Sequence, residues 1–422
     1  MAQLTDDCFA FSGPLLPIAD AERLIQERIT PVEGIETVTL KAAPGRILAR
    51  DVVAPIDLPP FDNSAVDGYA VRHADVSATT ETTLAVVDRV TAGRAPAGPL
   101  PPGAAARIFT GAPMPDGADT VFMQEDVRPN GAAVIVPSGL KAGSNRRLAG
   151  EDVRAGSVVL PAGRRLDAPQ VALAAAVGLT ELPVRRRLRV ALFSTGDEIV
   201  EPGTTRPRAA LFDANRFLLA GLIERTGAVV ADLGILPDQR ERLAAALTAA
   251  AANHDLVLTS GGVSTGEADH VRAIIENIGR LVFWRVGIKP GRPVAMGVIP
   301  SGEGNAAFVG LPGNPVAVFI TFVRIVRPLL LRLSGAKIPP FLPLAVRAAF
   351  GYRKRRGRRE YIRVKLVRAA DGAIDAVKHP QDGAGVLTSL TETDGLVELP
   401  EETTIVEPGS TVGFLSYATL VG

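Results

Sequence analysis

Cysteine is almost missing: Cys8 is the single thiol in 422 residues. That excludes an intramolecular disulfide and a cysteine-based zinc site, and it fits a reducing compartment. No base accompanies Cys8 in its N-terminal stretch, so a catalytic thiol is not expected. Excess charge is missing too. Lys and Arg number 46 against 45 Asp and Glu, a formal net charge of +1, which gives no general electrostatic case for a nucleic-acid partner. Long apolar runs without charge are also absent. The most extended apolar helical pattern, 316–333, contains Arg324, Arg327 and Arg332. Each arginine near a bilayer centre costs about 2.5–3.5 kcal/mol, so a buried core helix, kinked at Pro328 and closing near Gly335, is expected instead of a membrane span. Residues 1–7 carry two aspartates and no basic region, so no export signal is expected and the expected address is the cytoplasm. No internal repeat or low-complexity tract is present.

What the chain does have is the composition of a turn-rich globular protein, with 47% hydrophobic residues, 22% charged residues and 42 glycines. At about 150 residues per domain its length implies two to four domains. Residues 18–29 form an amphipathic helix pattern stopped by Pro31. From 71 to about 145 short β-branched runs (83–87, 106–109, 134–136) alternate with Gly/Pro turns. From 188 onward the pattern becomes strand 190–193, helix 214–225 with Asp213 as N-cap, strand 229–235, helix 240–252, strand 256–258 and helix 268–278. That alternation specifies a parallel sheet wrapped by helices, whose ligands bind beyond the carboxyl ends of the strands. Glu198, Asp238 and the Ser260–Gly262 turn fall at those ends. A further strand is expected at 282–287, and 336–422 reads as a separate small β domain.

Three stretches carry candidate chemistry. In TSGGVSTGEAD (259–269), Gly261 and Gly262 follow a strand and precede a helix, where unpaired N–H groups and the helix dipole favour an anion. A tight ligand-free turn explains the same glycines. Asp62, Asn63, Ser64 and Asp67 lie close together in PFDNSAVDGYA (60–70), where they either satisfy one another in a turn or serve a ligand. Two basic runs, 185–187 and 353–359, read as solvated surface; the second lacks interleaved aromatics, with only Tyr352 and Tyr361 flanking it.

Seven motifs in order, PFDNSAVDGYA (60–70), RIFTGAPMPDGAD (107–119), GED (150–152), ALFSTGDE (191–198), TSGGVSTGEAD (259–269), IKPGRP (288–293) and GLPGNP (310–315), resemble the molybdopterin molybdenumtransferase family, MoeA in bacteria and the E domain of gephyrin. The resemblance spans nearly the whole chain. It implies a multidomain α/β and β fold: a stalk region (1–57 and 146–186), an inserted β-rich domain (58–145), a parallel-sheet molybdopterin-binding α/β domain (187–335) and a C-terminal β-barrel-like domain (336–422). It further implies a homodimer, with a molybdopterin adenylyltransferase and molybdoenzyme apoproteins as partners, and no membrane. The implied reaction inserts molybdenum from molybdate into adenylylated molybdopterin, with Mg²⁺-dependent release of AMP. Molybdopterin adenylyltransferase and a non-catalytic scaffold of the same fold are the alternatives; the first shares the α/β unit but lacks the Asp67 stretch and the C-terminal domain.

Site roles follow from the same resemblance. Asp67, Glu198, Asp238 and Asp269 are the implied catalytic acids, with Glu198 and Asp238 holding Mg²⁺, a hard cation that takes a few carboxylates beside phosphate oxygens and water. Asp269 equally suits a structural role at a helix start. Thr110, Asp152, Ser260, Gly261, Gly262, Arg285, Lys289, Arg292, Asn314, Pro315 and Arg363 are the implied substrate-binding residues. The basic ones among them suit molybdate, arginine by its fork of donors. Two departures stand out: Arg285 occupies a position where relatives often have lysine, and Ala384 stands where a serine hydroxyl is expected.

Overall fold

The structure is a computed structural model that describes residues 15–263, 270–302 and 304–421. Its centre is a six-stranded sheet in the order Val229–Leu236, Arg189–Thr195, Leu256–Ser260, Gly304–Leu311, Pro293–Ser301, Arg280–Arg285. The first four strands run parallel, and the last two add an antiparallel extension. Side chains on a strand alternate faces, and this divides the sequence between two cores. Val190, Leu192, Leu256 and Leu258 join one core with Leu219 and Ile223 of the helix Asn215–Arg225. Ala191, Phe193 and Val257 join the other with Leu243 and Leu247 of Arg240–Asn253 and Ile274 of His270–Ile278. The expected strand–helix alternation is therefore present, with ends that differ by a few residues.

The first core also takes the amphipathic helix Ile18–Arg28 and the long C-terminal helix of this unit. The latter runs as Pro315–Thr321, a π-helical stretch Phe322–Val326, and Arg327–Leu333. The distortion expected at Pro328 thus sits just before it. Proline offers no N–H and its ring crowds the preceding turn, and a wider π turn relieves both. Arg324 is buried in this helix because it pairs with Glu22 at 2.7 Å and Glu398 at 3.4 Å. Among the described residues no helix is long and apolar enough to cross a membrane.

The C-terminal segment closes a barrel: Arg359–Arg368, Ile374–Lys378, Leu344–Ala348, Thr411–Ser416 and Gly395–Leu399, the last pairing back with the first. The short strand Ile288–Lys289 adds to it in parallel through Arg359–Glu360. A separate six-stranded sheet is ordered Thr120–Met123, Gly68–Val71, Ala104–Ile108, Thr82–Val90, Ala133–Val136, Arg128–Asn130. Two small ribbons, Ile35–Thr39 with Glu181–Arg185 and Val52–Val53 with Val158–Leu160, flank the helix Ala168–Ala176 over a core of their own. That helix opens with a capping arrangement in which the Asp167 N–H donates to Gln170 Oε1 at 3.0 Å.

Both basic runs read as solvated surface need correction. Arg186 is half-buried and makes a two-pronged contact with Asp255, at 2.8 and 2.7 Å, while its Nε donates to Glu33 O. In the second run Arg358 pairs with Glu360, Arg359 with Glu398 and Glu401, and Arg356 with Glu402. Acids contributed by the barrel neutralise much of that run. Sequence spacing could not show this, because the strands that bring them together are remote in the chain.

Candidate active site

The carboxyl ends of the four parallel strands lie in one row, with Thr195 beside Leu236, Ser194 beside Ser260, and Ser260 beside Leu311. From Arg189–Thr195 the chain first moves to one side and then crosses to the other, so a crevice opens at that strand's end. The turn beyond Ser260 is dictated by packing. Gly261 has φ +92° and an added Cβ would overlap Thr195 O; at Gly262, φ +69°, it would lie 2.6 Å from Val271 Cγ2. These glycines are required whether or not a ligand binds.

Buried polar atoms lie near these strand ends. Asn215, at the start of its helix, donates Nδ2 to Ser260 Oγ at 2.9 Å and to Gly313 O at 2.7 Å. Among the described residues its Oδ1 has no hydrogen-bond partner, and neither do Ser194 Oγ, Thr195 Oγ1 and Thr259 Oγ1, all buried. An unpartnered buried polar group costs about 1–3 kcal/mol, so these atoms, near the strand ends but on both faces of the sheet, are ones that water would complete. Asn215 escaped the sequence reading; its signal was a polar residue at a helix start just after a strand-end loop.

Glu198 and Asp238 follow the carboxyl ends of two adjacent strands, Arg189–Thr195 and Val229–Leu236. The Glu198 carboxylate folds over Gly196, where an added Cβ would lie 2.7 Å from Oε2. Arg216, which sequence reasoning also missed, ties the loop after the first of these strands to the second through Glu201 and Asp232. Only 4% exposed, it bonds Asp213, Asp232 and both oxygens of Glu201. Burial opposes its charge, yet Asp232, Asp213 and Glu201 outweigh that and raise its pKa. Asp232 is itself pushed up by burial and pulled further down by Arg216, ending below the usual carboxylate range. Asp213 also accepts the Arg216 N–H at 3.1 Å and caps the helix from one position before its N-cap Ala214.

A second group lies in the other sheet. Pairing of Gly68 with Ile108 sets Asp67 against Thr110, whose N–H and Oγ1 both donate to Asp67 Oδ1 at 2.8 Å. The Thr110 N–H first, then its hydroxyl, hold the Asp67 carboxyl below its ordinary pKa. The neighbouring polar residues are absorbed by the loop: Asp62 accepts the Ala149 N–H, Asn63 donates to Phe61 O and Ser64 to Val66 O. The turn reading fits Asn63 and Ser64, which bond within the turn, but not Asp62, which is held by the distant loop at Arg146 and Ala149, nor Asp67. Asp152 is exposed, and its N–H donates to Leu58 O at 3.1 Å in the adjoining loop.

A third group forms where the barrel meets the central unit. Lys289 is set opposite Glu360 by strand pairing and donates to Tyr352 Oη at 3.1 Å and Glu360 Oε2 at 3.2 Å. Burial lowers the Lys289 pKa, but those two bonds win and raise it. Lys289, Tyr352, Glu360, Arg363, Asp382 and Ala384 line a cleft of about 170 Å³. Arg363, 4% exposed and with its pKa lowered by burial, uses Nε on Ser389 Oγ and Nη2 on Gln381 O and Gly383 O, which leaves Nη1 outside these bonds. The Val316 N–H donates to Ala384 O at 3.0 Å, so the cleft loop is seated on the helix start at Asn314 and Pro315. Gly313, next in the chain, is the residue that Asn215 holds. The crevice and the cleft are thus joined through Gly313–Pro315. Arg285, at the end of Arg280–Arg285, and Arg292, just before Pro293–Ser301, are exposed and are not among the cleft-lining residues. Asp269 lies outside the described residues.

Three family models match in sequence along the chain: the MoeA N-terminal region (domain I and II) over 16–178, the probable molybdopterin binding domain over 191–332, and the MoeA C-terminal region (domain IV) over 345–417. The molybdopterin molybdenumtransferase of Haemophilus influenzae is 37% identical over 412 residues, covering 97% of this chain and 100% of that one. That of a Nostoc species is 37% identical over 408 residues, 94% and 93% of the two chains. Two crystal structures of molybdopterin biosynthesis MoeA protein from Pyrococcus horikoshii, at 34% and 30% identity, give TM-scores of 0.75 and 0.79 over 95% and 96% of this chain and 98% and 100% of theirs. The chain belongs to the molybdopterin molybdenumtransferase family, the enzymes that insert molybdenum during molybdenum cofactor biosynthesis.

Proposed function

We propose that this enzyme takes molybdenum from molybdate, inserts it into adenylylated molybdopterin, and releases AMP in a reaction that requires Mg²⁺. The observation that supports this most is the junction at Gly313–Pro315, which links the strand end carrying Ser260 and its partner Asn215 to the cleft that Lys289 and Arg363 share. The crevice suits the pterin and its phosphates; the cleft suits a metal oxyanion. Ser260, Gly261 and Gly262 bind the first, with Asn215 fixing the Ser260 hydroxyl. Lys289 and Arg363 bind the second, Asn314 and Pro315 form the wall between them, and Arg285 and Arg292 attract anions from the flank.

The donor set fits Mg²⁺. No group of three or more His, Cys, Asp or Glu suited to a metal occurs among the described residues, and Glu198 and Asp238 are proposed to hold the cation as a pair. Mg²⁺ is commonly held by one or two carboxylates, its other ligands being phosphate oxygens and water. When bound it would neutralise pyrophosphate charge. Arg216 ties the loop that follows Arg189–Thr195 to the strand Val229–Leu236. We further propose a homodimer in which Asp67 and Thr110, with Asp152 beside them, serve the crevice of the other subunit, Asp67 orienting water or assisting proton transfer; Asp269 is proposed as a further acid of the crevice. The four-part division at 57/58, 145/146, 186/187 and 335/336 is proposed with it, as are a cytoplasmic address, a molybdopterin adenylyltransferase that delivers the intermediate, and molybdoenzyme apoproteins that receive the product.

The test is incubation of the purified protein with adenylylated molybdopterin, molybdate and Mg²⁺, following AMP and active cofactor. Release of AMP that requires all three components is the expected result. Omission of Mg²⁺ or molybdate without effect would refute the proposal.

A further inference from the structure

The cleft presents a charge problem. Lys289 and Arg363 share its lining with Glu360 and Asp382, and a tetrahedral oxyanion gains little from walls whose charges cancel. The hydrogen bonds resolve it. Glu360, 1% exposed, accepts from Arg358 Nε on Oε1 at 2.7 Å, and Asp382 accepts from Lys378 Nζ on Oδ1 at 2.7 Å. Neither cation lines the cleft, so each carboxylate is matched from outside it. Glu360 Oε2 then receives the Tyr352 hydroxyl at 2.8 Å and Lys289 Nζ at 3.2 Å. Lys289 also donates to Tyr352 Oη at 3.1 Å, with its ammonium 5.7 Å from the ring centroid. An ammonium has three N–H donors. Two are bound to the barrel wall, which fixes the third, on a side chain that is 47% exposed.

We propose that Tyr352 and Glu360 are positioning residues: they hold the Lys289 ammonium so that one N–H meets the incoming metal oxyanion, while Arg358 cancels the charge that Glu360 would otherwise set against it. This deepens the proposed reaction and rests on the cleft being its molybdate site. A long flexible lysine would otherwise lose rotamer freedom on binding, and a held one has already lost it. Ala384 contributes only a methyl group to the lining, so the Lys289 donor carries more of the recognition.

The experiment titrates molybdate against wild type, Tyr352→Phe, Glu360→Gln and Lys289→Ala, with adenylylated molybdopterin and Mg²⁺ saturating. Tyr352→Phe and Glu360→Gln are expected to raise the half-saturating molybdate concentration about 3- to 10-fold, with the plateau rate and pterin affinity kept, since each removes one partner of a charged group. Lys289→Ala should raise it further. Tyr352→Phe keeps the ring and guards against Glu360→Gln unsettling the barrel, which thermal unfolding monitors. If Lys289→Ala leaves the molybdate requirement unchanged, the cleft is not the oxyanion site. If it raises the requirement but folded Tyr352→Phe and Glu360→Gln do not, or they lower only the plateau, the positioning role is wrong and the cleft reading stands.

Discussion

One oxygen atom, Asp67 Oδ1, receives both donors of Thr110, and that small fact has a measurable pH signature. The carboxyl is held below its ordinary range, so the interaction contributes stability above the unfolded-state value and loses it as pH falls through the folded one. Thr110→Val, which removes the hydroxyl, should move the Asp67 titration upward without abolishing the backbone bond. NMR titration of the carboxyl would show it, and an unmoved midpoint would mean that the hydroxyl contributes nothing. The two acids proposed to hold Mg²⁺ call for a different readout. Glu198→Ala and Asp238→Ala should each reduce Mg²⁺-dependent AMP release by at least about 100-fold, the scale expected when a metal ligand is lost. Glu198→Ala should unfold at the wild-type temperature, because its side chain is exposed, and thermal unfolding of Asp238→Ala separates loss of metal from any loss of fold. Normal turnover in either would remove its metal-holding role.

The helix Asn215–Arg225 does more for the site than its length suggests, because its first two residues bridge elements far apart in sequence. Asn215 ties Ser260 to Gly313, and Arg216 gathers Glu201, Asp213 and Asp232. Arg216→Met should cost about 3 kcal/mol, the low end of the range for breaking a buried pair, because Asp213 is buried while Glu201 and Asp232 stay partly solvated. The deficit should shrink in acid, since Asp232 is depressed by Arg216 in the folded protein and that stabilisation is lost as pH falls through its folded value. Urea unfolding of both proteins at neutral and acidic pH measures it; a deficit independent of pH would assign the loss to packing. The same helix shows what could be read beforehand. The strand–helix alternation and the strand-end positions of Glu198, Asp238 and Ser260 follow from local pattern, and the structure shows that alternation with shifted ends. Arg216 and the pairing of Lys289 with Glu360 do not follow, because they depend on which distant strands become neighbours. The glycines at 261 and 262 were legible as a turn, but their reason, contact with Thr195 and Val271, needed the tertiary fold.

Across the whole molecule, the barrel, the long central helix and the N-terminal helix meet at one buried cation. Arg324 bonds Glu22 of Ile18–Arg28 and Glu398 of Gly395–Leu399, beneath the rings of Phe341 and Tyr361. Since Lys289 and Arg363 face each other only when the barrel is docked, this junction supports the cleft's geometry. Its electrostatics are not uniformly favourable. Burial raises the Glu22 pKa more than Arg324 and Arg359 lower it, with Glu398 and Glu401 adding to the rise. A carboxyl with a raised folded pKa contributes stability below its unfolded value and loses it as pH climbs through the folded one. Glu22→Gln does not titrate, so its stability relative to wild type should improve as pH rises from about 4 toward neutrality. Removing the cation is another matter: Arg324→Met should cost about 3–5 kcal/mol. Hydrogen exchange should then accelerate together in Ile18–Arg28 and Gly395–Leu399, while Gly68–Val71 in the separate sheet stays protected, because only the first two are tied to Arg324. Equal acceleration in all three would show that Arg324 stabilises the chain as a whole and does not act as the joint between barrel and centre.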